Sequence, residues 1–235
     1  MSARILMILT SHDTLGSTGQ KTGFWLEELA SPYYVFKDAG AQVTLASPKG
    51  GQPPIDPKSD TPDWQTDATR RFEGDAEAKA ALAKTKPISG LDAGDYDAIF
   101  FPGGHGPMWD YPGNQTLANL IEAFDEEVKP IGAVCHGPAA LVSAKRSDGS
   151  PLVTGRKVTG FTNGEEAAVE LTEVVPFLLE EKLKQLGGKY VKGPDFAPFV
   201  IADGHIVTGQ NPASSAETAK KVLEAIGLMR IAKSA

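Results

Sequence analysis

The chain holds a single cysteine in 235 residues, so no internal disulfide staples the fold. No run approaches the roughly 18 to 20 consecutive apolar residues of a membrane span. Positive charge is in deficit: 23 Lys and Arg stand against 30 Asp and Glu, a formal net charge of -7. That balance argues against nucleic acid and against a membrane surface as partners. Also missing are a phosphate-cradling glycine loop of Walker or Rossmann spacing, a Cys/His metal cluster, internal repeats and low-complexity tracts. The opening Met1–Thr10 stretch is too short for a signal peptide, lacks a small-residue cleavage site and reads as a first strand. With an unpaired cysteine, a cytoplasmic location is the expectation. What remains is an ordinary soluble-enzyme composition, 41% hydrophobic and 23% charged. The length is enough to bury a real core.

Short apolar runs alternate with helical patterns along the chain. Strands are expected at Ile5 to Leu9, Gln42 to Ala46, Tyr96 to Phe101, Ile131 to Val134 and Val158 to Phe161. Late short strands follow at Tyr190, Phe199 to Ala202 and His205 to Thr208, the last two turned as a hairpin by Asp203-Gly204. Helices are expected over Gly23 to Asp38, with Pro32 a point of kinking, and over Asn114 to Glu127, Val174 to Leu186 and Pro212 to Gly227. Residues 48–88 are too long for a simple connection; they read as an inserted flap over the sheet edge, with a helix from Gly74 to Ala83. The sum is a single α/β domain over residues 1–235: a doubly wound, mostly parallel sheet sandwiched by helices. Ligands in such sheets sit at the carboxyl ends of the strands. Gly103-Gly104-His105, Cys135-His136 and Glu165-Glu166 all follow strands on that edge.

The stretch Ile131-Gly-Ala-Val-Cys-His-Gly-Pro-Ala-Ala140 organises the rest. A buried strand that ends in a nucleophile and turns at once into a helix is written this way. The new helix would point its N-terminus at Cys135 and favour a thiolate, with Pro138 suited to the first turn. His136 would act either through its ring as a base or through its backbone N–H, since neighbours on a turn often point apart. Glu28 shares the apolar face of the first helix with Phe24, Trp25, Leu29, Tyr33 and Phe36. A buried carboxylate there is costly unless paired or partly protonated; hydrogen-bonded to a thiolate it would be held protonated and could shuttle a proton. Gly103-Gly104 lets the backbone approach a substrate, with the Gly104 and His136 N–H groups as oxyanion donors. His105 reads as a loop or site-wall residue rather than a metal ligand. One of Glu165 and Glu166 is placed to orient His136. His12 and His205 read as ordinary polar residues, and Trp25, Trp64 and Trp109 as core or wall.

Phe-Pro-Gly-Gly-His-Gly (101–106) paired with Ala-Val-Cys-His-Gly-Pro-Ala (133–139) resembles the ThiJ/PfpI superfamily. Gly19-Gln-Lys-Thr-Gly23 before Glu28 and Pro32, Asp110-Tyr-Pro112, Thr159-Gly-Phe-Thr162 and Val207-Thr-Gly-Gln-Asn-Pro-Ala-Ser214 are similar to its heat-shock chaperone and glutathione-independent glyoxalase III branch. The resemblance implies a flavodoxin-like, class I glutamine-amidotransferase-like fold. It implies Cys135 as nucleophile, His136 as its histidine, Glu28 as the buried acid and Glu166 as the third acidic member, with Glu165 one register away. It also implies a homodimer, a small 2-oxoaldehyde substrate, and no organic cofactor or metal for converting methylglyoxal to D-lactate. Deglycation of amines, cysteine amidase or peptidase chemistry, and a redox-sensing holdase chaperone are the alternatives within the same superfamily.

Overall fold

The computed structural model describes residues 2–234, with side chains to residue 227. In chain order the strands are β1 (Arg4–Ile8), β2 (Gln42–Ser47), β3 (Lys86–Pro87), β4 (Ala98–Phe101), β5 (Ile131–Val134), β6 (Lys157–Val158), β7 (Lys189–Tyr190), β8 (Val200–Asp203) and β9 (Ile206–Gly209). The helices are α1 (Leu26–Asp38), α2 (Asp67–Gly74), α3 (Ala76–Ala83), α4 (Pro107–Asp110), α5 (Gln115–Glu126), α6 (Asn163–Ala168), α7 (Leu179–Gln185) and α8 (Ser215–Ser234). Seven of the strands form one sheet in the order β3-β2-β1-β4-β5-β9-β8, parallel except for the β8–β9 hairpin. The order runs outward both ways from β1 and β4, which is the doubly wound arrangement.

Alternation along β1 shows why the strand is apolar throughout. Ile5, Met7 and Leu9 pack with α1, α2, α3 and α8, while Leu6 and Ile8 pack with α5 on the other face. Both faces of a parallel sheet are covered, so both sets of side chains leave water. At the centre, Gly132 of β5 has no room for a side chain: a Cβ there would lie 2.6 Å from Phe100 and 2.7 Å from Val222.

Several expected boundaries move, each for a local reason. Helix α1 begins at Leu26 rather than Gly23, because its first N–H is capped from outside by the Ser59 hydroxyl, 3.1 Å away. It runs through Pro32, which has no N–H to offer the Glu28 carbonyl one turn back. The expected helix Val174 to Leu186 shortens to α7, since Pro176 disrupts its first half. Val158 to Phe161 contributes only β6, which pairs with β7 in a separate two-stranded sheet. The hairpin turns on Gly204-His205, one residue later than expected. The expected helix from Pro212 opens as a 3-10 turn over Pro212–Ser214 before α8 begins.

Residues 48–88 leave and rejoin the sheet edge. They return as β3 against β2; their helix α2 packs on α1, and α3 packs on α2 and β2. The helix expected from Gly74 starts at Ala76, preceded by α2, where Thr66 and Thr69 make a reciprocal capping box. Thr66 also donates to Glu27 of α1 at 2.5 Å, which ties this segment to the helix that carries Glu28.

Gly132→Ala is expected to destabilise the protein by about 1–3 kcal/mol through overpacking. Urea unfolding would show this as a lower midpoint with an unchanged slope.

Candidate active site

The site is built on the carboxyl edge of β4 and β5. Strand β5 ends at Val134, and Cys135 takes a left-handed backbone with φ of +60°. That conformation is unfavourable for a residue with a Cβ, by about 1–3 kcal/mol. It is held by two hydrogen bonds: the Cys135 N–H donates to Gly209 at 3.0 Å, and its carbonyl accepts from Phe161 at 2.9 Å. The bend that follows is a 3-10 helix over Gly137–Val142, not the α-helix expected from the sequence. Gly137 explains the tightness, since a Cβ there would lie 2.2 Å from the Phe101 carbonyl oxygen. The expectation of an ionised sulfur resting on a helix dipole is therefore corrected. Burial, reinforced by the negative charge Glu28 takes on once it ionises, pushes the thiol well above its usual range. The Gly104 N–H works in the opposite direction and favours the thiolate.

Three side chains converge on this sulfur or its partner. The His136 ring turns toward it, with Nδ1 3.4 Å from Sγ. His136 Nε2 lies 2.7 Å from Glu166 Oε2, and His105 Nε2 lies 2.8 Å from Glu166 Oε1. One carboxylate thus serves two imidazoles, whose ring centroids are 4.1 Å apart. Burial opposes ionisation of Glu166, but the charge that His136 takes on in acid and the hydrogen bonds from both histidines outweigh it and hold the carboxyl group well below its usual range. Burial lowers the His136 pKa, helped by His105, against the pull of Glu166. A neutral His136 with its Nε2–H on Glu166 leaves a free lone pair on Nδ1, aimed at the thiol.

Glu28 reaches Cys135 from α1. It is fully buried, and its Oε2 accepts the Gly103 N–H at 2.6 Å. Burial raises its pKa from 4.5 to about 8, against the lowering effect of that N–H and of its interaction with Cys135. At neutral pH Glu28 is therefore a neutral acid. Its Oε1 has no hydrogen-bond partner, and a proton carried there leaves Oε2 free to accept the Gly103 N–H. Gly103 has to be glycine here: a Cβ would lie 2.7 Å from Glu28 Oε2, from the His136 N and from the Val134 carbonyl. Its N–H is committed to Glu28, so Gly103 positions the acid and is not an oxyanion donor. Gly104, at φ of +88°, lines the pocket together with His105.

The doubled acid resolves by the same local rules. Glu165 closes a capping box with Thr162 at the start of α6. It also accepts from the Phe196 N–H at 2.7 Å and from Asn211 Nδ2 at 2.8 Å, fixing two loops. Glu166, the next residue, faces the histidines. The Thr-x-x-Glu spacing at 162–165 was the signal that assigns Glu165 to the cap and frees Glu166. Gln210 and Asn211 belong to the Val207–Ser214 stretch that carries the resemblance, but their role in holding Glu165 and the 193–197 loop was not legible there, because no local pattern marks a polar residue whose partners are remote.

Trp25, Trp64, Phe161, Val169, Phe196, Asn211, Pro212 and Ala213 wall a cavity of about 200 Å3 over this floor. Trp109 lies elsewhere, stacked on His12, and His205 bonds Asp125. Nε2 of both histidines and the Glu166 carboxylate are close enough to share a cation. In the structure they are satisfied by hydrogen bonds to one another, which is what a proton relay needs. No helix among the described residues is long and apolar enough to cross a membrane.

A doubly wound sheet whose central strand ends in a strained cysteine, flanked by a histidine–glutamate pair and a buried acid, defines the class of protein. The chain belongs to the DJ-1/PfpI family, whose profile matches residues 21–225. It is 34% identical over 232 residues to Glyoxalase 3 of Candida albicans, covering 94% of this chain and 98% of that protein. It is 32% identical over 233 residues to the glutathione-independent glyoxalase HSP31 of Saccharomyces cerevisiae, covering 95% and 98%. Among solved structures it resembles glyoxalase III of Candida albicans, with a TM-score of 0.88, 32% identity and coverage of 95% and 97%. It also resembles the 24 kDa rapid encystment protein of Francisella tularensis, with a TM-score of 0.90, 37% identity and coverage of 96% and 99%.

Glu28 binds a proton more tightly in the folded than in the unfolded chain. Its contribution to stability is fully present below pH 4.5 and is lost as pH rises to about 8. Glu28→Gln removes that dependence. Its melting temperature relative to wild type is expected to climb between pH 5 and pH 9, and a flat difference would mean that Glu28 titrates normally.

Proposed function

We propose that this protein is a glutathione-independent glyoxalase, which converts methylglyoxal and water to D-lactate. One observation carries the reading beyond the full-length similarity to glyoxalases. A neutral base, His136 Nδ1, and a neutral acid, Glu28, flank the same sulfur at the floor of a pocket. An internal redox isomerisation needs just such a pair, one group to take a proton while the other gives one. Glutathione is not needed, because Cys135 supplies the sulfur.

As Cys135 attacks the aldehyde carbon, its proton passes to His136 Nδ1. The oxyanion of the hemithioacetal lies near the Gly104 and His136 N–H groups and takes the proton of Glu28. Glu28, now a carboxylate, removes the hydrogen from the former aldehyde carbon, and His136 protonates the ketone oxygen, giving an enediol. Glu28 then returns its proton to the second carbon while His136 takes the hydroxyl proton from the first. The product is a lactoyl thioester on Cys135. Water attacks it and gives a proton to Glu28, His136 reprotonates the leaving sulfur, and the resting state is restored. Glu166 keeps His136 in the tautomer that this sequence requires. Acyl transfer by an amidase would use the same sulfur–imidazole contact but has no use for a protonated carboxyl group beside it.

A D-lactate assay with methylglyoxal and no glutathione tests this directly. Cys135→Ala and Glu28→Gln are expected to abolish turnover, and Glu166→Gln to lower kcat by about 10²–10⁴-fold. The wild-type rate is expected to fall as pH rises through about 8, where Glu28 loses its proton. D-lactate formation that survives Cys135→Ala would end the proposal. The family resemblance carries a homodimer with it; light scattering is expected to give the mass of two chains.

A further inference from the structure

Methylglyoxal carries only a methyl group on its ketone carbon, yet the cavity above Cys135 has a volume of about 200 Å3. Its polar groups gather at the floor, where Cys135, His136, His105, Glu28 and Gly104 lie, apart from Asn211, whose amide is spent on Glu165, Ala197 and Ser214. The walls above are Trp25, Trp64, Phe161, Val169, Phe196 and Pro212, with no charged side chain among them.

Exposed apolar surface is concentrated at the same place. Among the described residues the large hydrophobic side chains left open are Trp64 at 49%, Phe196 at 48% and Val128 at 57%. Two of these three stand over the cavity. Apolar surface exposed in a concave site is surface that a ligand covers with gain. The walls are also held in place before anything binds. Trp64 meets Trp25 edge to face at 5.1 Å. Phe196 sits at φ of +60° with its N–H fixed by the buried Glu165, and its ring meets Phe161 at 6.3 Å. A ligand entering such walls does not have to order them, so more of the burial appears as affinity.

We infer, on the glyoxalase reading of this site, that its preferred substrates are 2-oxoaldehydes with an aromatic group on the ketone carbon. The dicarbonyl head lies on the floor and the ring rests against Trp25, Trp64 and Phe196. The bonds made and broken are those of the methylglyoxal reaction: the aldehyde carbon bonds sulfur, a hydrogen moves between the two carbons, and water releases a 2-hydroxy acid. Phenylglyoxal would thus leave as mandelate. Residues 48–88 gain a role in this, since Trp64 is their contribution to the site.

The test compares phenylglyoxal with methylglyoxal on the same enzyme. The expected kcat/KM ratio favours phenylglyoxal by about tenfold or more, the size expected for burying one ring, and the gain lies mainly in KM. Trp64→Ala and Phe196→Ala are each expected to reduce that ratio by at least about fivefold. In Cys135→Ala, mandelate is expected to quench tryptophan fluorescence at lower concentration than lactate. A wild-type ratio at or below unity, a ratio that neither substitution moves, or equal binding of mandelate and lactate would overturn the inference. Absence of turnover with both aldehydes would instead sink the glyoxalase reading, and the mandelate–lactate comparison would still decide whether the aromatic subsite exists.

Discussion

The hydrogen bond from the Gly103 N–H to the Glu28 carboxyl group, 2.6 Å long and wholly buried, joins parts of the chain 75 residues apart. It anchors α1 to the loop after β4, and that loop in turn abuts the Cys135 elbow. A lone buried carboxylate would be intolerable; a carboxylic acid that accepts one N–H and keeps its own proton is not. The contact settles the geometry, while burial, acting against that N–H, settles the protonation. It also accounts for Gly103, because any side chain there would push the acid and the elbow apart.

Around that contact the site is kept uncharged where chemistry begins. Burial raises both the thiol and the Glu28 carboxyl group and lowers the imidazole. The standing negative charge is held one residue further out, on Glu166, where two histidines share it. In the proposed reaction an acid, a base and a thiol, all neutral, exchange protons without first separating charge in an apolar pocket. The strained φ of Cys135 presents the sulfur to that exchange, and the β9 and Phe161 hydrogen bonds keep it from relaxing.

Adjacent acids divide between structure and chemistry. Glu165 turns inward to cap α6 and bind the loops that carry Phe196 and Asn211, while Glu166 points to the histidines. The loop that shapes the pocket mouth and the carboxylate that orients the base are thus set by one helical turn. Movement of α6 would disturb both at once.

The strand pattern, the cysteine at the end of an apolar run, the acid on an apolar helix face and the glycine pair were all legible in the sequence, because each is a local periodicity or a residue type in a special conformation. The Thr162-x-x-Glu165 spacing stands in the sequence too, but the doubled acid left the choice between Glu165 and Glu166 open until the capping box was seen in the fold. Packing decided the rest. The tightness of the bend after Cys135 depends on the Phe101 carbonyl pressing on Gly137, and the neutrality of the thiol depends on burial that no motif records. The start of α1 depends on Ser59, and the pocket walls on Trp64 and Phe196, residues brought together from separate loops. Local chemistry marked the candidate reacting groups; their protonation and the shape of the space above them came from contacts between distant segments, since charge and volume in a folded interior belong to everything packed around them.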